Sequence, residues 1–183
     1  MPRAWPGGLG VRRPLSSTKI RLNEHTIGPL PWHKAGPPIL ITAGNRGNLI
    51  PAQLDRFARL GDGIITTYLT DDDCRTLRAR GEEALAQHGR PLPDFPLCVY
   101  TTVRLDADVE QAETTTRAFL QQYYGGGAHD HGLMGLGPAS TVIDIIERYE
   151  AAGVTDLCIR LVGDDQEAQL EQFIHEVVPA CTT

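Results

Sequence analysis

Strand, turn and helix alternate four times along this chain, and that alternation constrains its fold more than any other feature. The first unit is Pro37-Pro38-Ile39-Leu40-Ile41-Thr42-Ala43-Gly44-Asn45-Arg46-Gly47-Asn48. Apolar and β-branched residues follow two prolines and end in a glycine-rich turn, and a helical pattern then runs from Leu49 to Leu60. Such a turn points free backbone N–H groups at whatever lies above it, which suits an anion.

Three further units repeat the plan. Gly63 to Tyr68 reads as a short strand, followed by a helix from Asp71 to about His88 with Thr70 as its N-cap. Asp71, Asp72 and Asp73 suit the helix dipole, and we read them as capping rather than as a divalent-metal site. Leu97 to Leu105 is the strongest strand, with Leu97, Val99, Thr101, Val103 and Leu105 on one face and Cys98, Tyr100, Thr102 and Arg104 on the other. Asp106 or Asp108 opens a helix to about Tyr124. Gly125 to Gly132 is then a loop, and Thr141 to Ala152 a helix closed by Gly153. Asp156 to Val162 is the fourth strand, and a helix from Glu167 to about Val178 ends at Pro179.

Strands alternating with helices imply a parallel sheet with right-handed crossovers. Four units make a small open sheet or half of an eight-stranded barrel, and a full barrel normally needs about 250 residues. At 183 residues the expectation is α/β, with parallel βα units forming about half of a TIM-type barrel. An open flavodoxin-like sheet would need a fifth strand, which only residues 19–26 could supply. We expect residues 1–36, rich in Gly and Pro, to be an irregular linker or extension, and 37–183 to be the domain.

Seventeen Lys and Arg against 23 Asp and Glu give a net charge of −6 without a basic cluster, which argues against nucleic acid as a partner. No apolar run approaches the roughly 20 residues needed to span a bilayer. The N-terminus has no apolar signal region, so a cytoplasmic protein is expected. Cys74, Cys98, Cys158 and Cys181 form no C-x-x-C, and Cys98 and Cys158 fall within strands, as buried free thiols do.

The chain contains no G-x-S-x-G elbow, Walker A or H-E-x-x-H motif. Gly135-Leu136-Gly137-Pro138 does not follow a strand, so it fails as a dinucleotide fingerprint. His129 and His131 flank Asp130 in a glycine-rich loop with no third ligand near in sequence, so no metal is expected. Ala43, Gly44, Asn45 and Arg46 make a better site, combining close backbone approach with an anion-pairing guanidinium. Thr66, Thr67 and Tyr68 end the adjacent strand and could contact a phosphate or an aromatic cofactor; an ordinary surface turn and strand capping are the plainer readings. Arg104 and Arg160 each sit inside a strand and need a partner, either an internal carboxylate or an anionic ligand.

The Pro37–Asn45 run and Ala58-Arg59-Leu60-Gly61-Asp62-Gly63-Ile64 resemble the bacterial luciferase-like monooxygenase superfamily. So do Ile146-x-x-Tyr149-x-x-Ala152-Gly153-Val154, the strand from Asp156 to Leu161, and Phe173-x-x-Glu176-Val177-x-Pro179. The resemblance spans roughly residues 36–180 and corresponds to the C-terminal half of the family's barrel. It implies a flavin- or deazaflavin-dependent oxidoreductase or monooxygenase acting on a small molecule, using FMN or an 8-hydroxy-5-deazaflavin. In that pattern the turn after the Pro-Pro strand approaches the cofactor phosphate. Gly44 and Asn45 match it, whereas Arg46 replaces a residue that is often small. The family's N-terminal half has no counterpart here, so a homodimer or a partner supplying the missing half-barrel is expected. The rival expectation is a non-catalytic half-barrel that binds a phosphate-bearing ligand or a partner chain. No residue stands out as catalytic.

Overall fold

The computed structural model describes residues 15–16, 21–22, 36–44, 47–125 and 132–181. The chain divides into two units, Met1–Pro38 and Ile39–Thr183. In the first, β1 (Leu15–Ser16) pairs antiparallel with β2 (Arg21–Leu22). β2 lies within the 19–26 stretch, but it belongs to this separate two-stranded sheet.

The second unit runs β3 (Leu40–Thr42), α1 (Pro51–Leu60), β4 (Gly63–Thr67), α2 (Asp71–Gln87) and β5 (Leu97–Leu105). It continues through α3 (Val109–Tyr124), β6 (Gly135–Gly137), α4 (Ala139–Ala151), β7 (Asp156–Leu161), α5 (Gln166–Glu176) and α6 (Val178–Cys181). All pairings among β3 to β7 are parallel. The expected α/β series is therefore present, and each of the four strands read from the sequence forms.

β5 is the spine. Cys98 lies opposite Ile65 of β4 on one side and Asp156 of β7 on the other. Val103 lies opposite Gly135 of β6 and Leu161 of β7. β4 and β6 thus share one edge of β5 end to end, and β7 takes the opposite edge. β6 escapes sequence reading because Gly-Leu-Gly carries neither β-branched residues nor alternation.

This placement decides which face each helix covers. α1, α2 and α4 connect strands that advance across the sheet toward β7, and they pack on one face. Their Phe57, Leu77 and Tyr149 bury Ile64, Leu97 and Val99. Val103 and Leu105 continue that face against Val142 and Val177. α3 returns from β5 to the β4 side, so a right-handed crossover puts it on the other face. There Phe119, Tyr123 and Tyr124 meet Arg160 of β7. In a closed barrel that face would line the lumen.

Local chemistry fixes the helix starts. The Thr70 hydroxyl accepts from the Asp73 N–H at 3.2 Å, and the Asp73 carboxylate accepts from the Thr70 N–H at 3.0 Å, a complete capping box. Asp108 rather than Asp106 caps α3, accepting from the Glu110 and Gln111 N–H groups. α1 begins at Pro51 rather than Leu49, because proline suits a first helical position. The last helix breaks at Val177, ahead of Pro179, and resumes as α6.

One expectation needs correcting. Cys98 is buried, but Cys158 is exposed, because β7 has only one described neighbour and its Asp156–Cys158 end lies in the open.

Candidate functional site

β3 and β4 end side by side. Ala43 is fully buried, and its N–H donates to the Ile65 carbonyl at 3.2 Å, extending the ladder by one bond. Gly44 follows with φ +79°, and its N–H donates to Gln53 Oε1 of α1 at 3.1 Å. These two turn N–H groups, which the sequence suggested for an anion, are therefore engaged inside the fold. What Gly44 offers instead is its bare Cα: a Cβ there would stand 3.3 Å from Leu69 Cδ1 and 3.4 Å from Thr66 Oγ1. Asn45 and Arg46 lie outside the described residues.

Thr66 is only 1% exposed, and its hydroxyl has no hydrogen-bond partner among the described residues. A buried hydroxyl without a partner is costly, so Thr66, packed against the Cα of Gly44 together with Leu49 and Leu69, is the polar atom at these strand ends that most needs explaining. Thr67 points to the opposite face, where it pairs in register with Tyr100. Tyr68 then takes a left-handed conformation, φ +56°, rare for a residue with a side chain. Gly132 packs on its backbone, with room for no Cβ: the nearest atom, the Tyr68 carbonyl carbon, would be 2.7 Å away.

The two strand arginines find different partners. Arg104 pairs with Asp106 at 3.2 Å and donates to the Val162 carbonyl at 3.2 Å, the internal solution. Arg160 donates to the Tyr124 hydroxyl at 2.8 Å and the Thr102 hydroxyl at 3.0 Å, with no carboxylate partner among the described residues. The rings of Tyr100, Tyr124, Tyr123 and Phe119 surround its guanidinium at 5.1 to 5.9 Å. Burial raises the Tyr68 phenol above its usual range, a nearby Tyr124 adds to this, and Arg160 opposes it. Burial also works against the Arg160 charge, but Tyr124 and Tyr100 outweigh it and hold the guanidinium more firmly charged.

Tyr68 thus links the turn residues to the Arg160 cluster. Sequence reading missed Phe119, Tyr123 and Tyr124, although their helical spacing at the end of α3 was a usable signal. A surface cleft of about 540 Å³ lies between α1 and α2, lined by Leu54, Asp55, Arg80 and His88, away from the strand ends. His129, Asp130 and His131 lie outside the described residues. Among the described residues, no group of three or more His, Cys, Asp or Glu could hold a metal.

Parallel βα units with a prepared carboxyl edge define an α/β chain of TIM-barrel type. Residues 17–137, about two thirds of the sequence, match the family model of luciferase-like monooxygenases, and the chain belongs to that family. The match opens inside the N-terminal segment and closes with β6.

Solved structures agree on the fold. An F420-dependent secondary alcohol dehydrogenase, in complex with an F420-acetone adduct, superposes with a TM-score of 0.69 at 15% identity over 98% of this chain. A coenzyme F420-dependent tetrahydromethanopterin reductase from Methanopyrus kandleri gives 0.65 at 18% over 93%. A monooxygenase from Streptomyces bottropensis gives 0.67 at 14% over 93%. The chain spans only 58%, 58% and 56% of these proteins. No curated protein sequence matches it significantly. Among the described residues, no helix is long and apolar enough to cross a membrane.

Proposed function

We propose that this chain is a flavin- or deazaflavin-dependent oxidoreductase of the luciferase-like family, acting on a small molecule in a cytoplasmic setting. FMN or an 8-hydroxy-5-deazaflavin sits with its phosphate over the ends of β3 and β4. The observation that carries this reading is the Thr66 hydroxyl, buried without a partner 3.4 Å from where a Gly44 Cβ would stand. A phosphate oxygen settling over the ends of β3 and β4, with a small shift of the Leu49 and Leu69 side chains that now pack there, would take that hydroxyl as a donor. Ala43 anchors the turn to β4, Arg46 supplies a charge to the phosphate, and Thr67 and Tyr68 flank the ring on the other face. When bound, the cofactor supplies the redox chemistry, and these residues bind and orient it.

Residues 37–183 act as the working unit, with 1–36 as an extension. β3 and β7 each present a described edge with no further strand, and parallel sheets are rarely left so. A second copy, or a chain supplying the remaining half-barrel, closes the sheet in this reading. Sedimentation of the pure chain should then give a mass above 20.0 kDa, and a stable monomer would refute the closure.

One observation favours a second, non-catalytic reading. α3 covers the face that would line the lumen of a closed barrel, which suits a half-barrel that only holds a phosphate-bearing ligand or a partner. Mass spectrometry of ligands that co-purify with the intact chain separates the two. Bound FMN or deazaflavin supports the oxidoreductase. A phosphate-bearing ligand with no redox ring supports the alternative.

A further inference from the structure

Arg160 is poorly explained as packing alone. A guanidinium carries five N–H donors. One Nη1 hydrogen serves Tyr124, one Nη2 hydrogen serves Thr102, and Nε is buried without a partner among the described residues. Each Nη therefore keeps one further hydrogen. The charge is drawn inward with no carboxylate beside it among the described residues, whereas Arg104, two register positions along the same sheet face, has Asp106. Aromatic faces offset part of that cost, but a cation–π contact is weaker than a hydrogen-bonded carboxylate.

Beside the charge stands exposed aromatic surface, the rings of Tyr123 and Tyr124 meeting edge to face at 75°. Tyr123 and Tyr124 remain 67% and 41% exposed while their rings lie within 6 Å of the guanidinium. Large aromatic surface left in solvent next to an unneutralised cation is chemically matched to one kind of guest: an oxyanion carried on a flat apolar body.

We propose that Arg160, with Tyr100, Tyr123 and Tyr124, forms a binding site for an aromatic carboxylate. The carboxylate takes the spare Nη hydrogens, and the ring of the guest lies against Tyr123 and Tyr124. The site rests on the oxidoreductase reading only in naming this anion as the substrate class; the binding itself requires no cofactor.

Calorimetric titration of the intact chain with benzoate and with benzamide, without FMN, tests it. Benzamide keeps the shape and lacks the charge. Benzoate should bind saturably and benzamide at least roughly tenfold more weakly, as expected when one charge-assisted pair is lost. Arg160→Met should abolish benzoate binding, and Arg160→Lys, which keeps the charge but loses the fork, should weaken it severalfold. No saturable benzoate binding, equal binding of the two probes, or wild-type affinity in Arg160→Lys would each overturn the site. If circular dichroism shows Arg160→Met to be unfolded, the probe pair and the lysine variant decide. A separate FMN titration keeps failure of this site distinct from failure of the cofactor reading.

Discussion

Gly132 rests directly on the backbone of Tyr68, so close that a Cβ would stand 2.8 Å from the Tyr68 Cα. The contact fastens the start of the segment leading to β6 onto the carboxyl end of β4, where Tyr68 is held at φ +56°. Gly132 is itself at φ +96°, a conformation side chains rarely adopt. Gly132→Ala should therefore destabilise the fold by on the order of 1–3 kcal/mol. Urea unfolding followed by circular dichroism measures the loss. An unchanged midpoint would show that the contact relaxes without strain.

Tyr149 of α4 makes the companion link. Its hydroxyl, 1% exposed as a residue, lies 2.9 Å from the Leu69 carbonyl and 3.2 Å from that of Leu133. Thr101 donates to the same Leu133 carbonyl at 2.7 Å. Tyr149→Phe keeps the ring and leaves the Leu69 carbonyl without this donor, a cost of about 1–3 kcal/mol. The Leu133 carbonyl keeps Thr101, so a double variant with Thr101→Val should lose more than the two single losses combined. Simple additivity would show the two donors to be independent.

Cys74 gives the fold an alkaline limit. Burial first, then the charges of Asp73 and Asp71, push its thiol up to about 12 from the usual 9.0. Between these values the unfolded thiol has lost its proton while the folded one keeps it. This contribution is therefore intact below about 9 and falls as pH rises toward 12. Cys74→Ala should flatten the decline in melting temperature across that window. In the native protein near pH 8, exposed Cys158 should react with a thiol reagent well before buried Cys74. Equal labelling rates would contradict the burial assigned to Cys74.

The βα order was legible because period-2 and period-3.6 patterns alternate cleanly from Leu40 onward. Thr70 could be read as a cap because its side chain and the Asp triplet act within one turn. The pairing of β7 with β5 could not be read. It depends on β6 being three residues long and taking only the far end of the β5 edge it shares with β4. For the same reason the placement of α3 across the opposite sheet face could not be read, and its aromatic residues went unnoticed. Gly44 was picked out for its turn, and Thr66 because the adjacent parallel strand ends beside that turn. Their closeness is a product of parallel register, while the engagement of the Gly44 N–H by Gln53 is a side-chain choice that no turn pattern encodes.

Thr66→Val gives the most direct test of the cofactor site. Valine matches threonine in shape and removes a hydroxyl that is buried without a partner among the described residues. The fold should therefore keep or gain stability, as it does when an unpaired buried polar group is lost. Cofactor binding should instead weaken by about 1 kcal/mol, roughly fivefold, because a phosphate oxygen loses its donor. The measurement is a fluorescence titration of wild type and Thr66→Val with FMN and with the 8-hydroxy-5-deazaflavin, with melting curves on the same samples. Saturable binding of one of them by wild type, weakened in a variant that melts no lower, is the predicted result. Equal affinity in the two proteins, or no binding of either cofactor by the folded wild type, would contradict a phosphate site at the ends of β3 and β4.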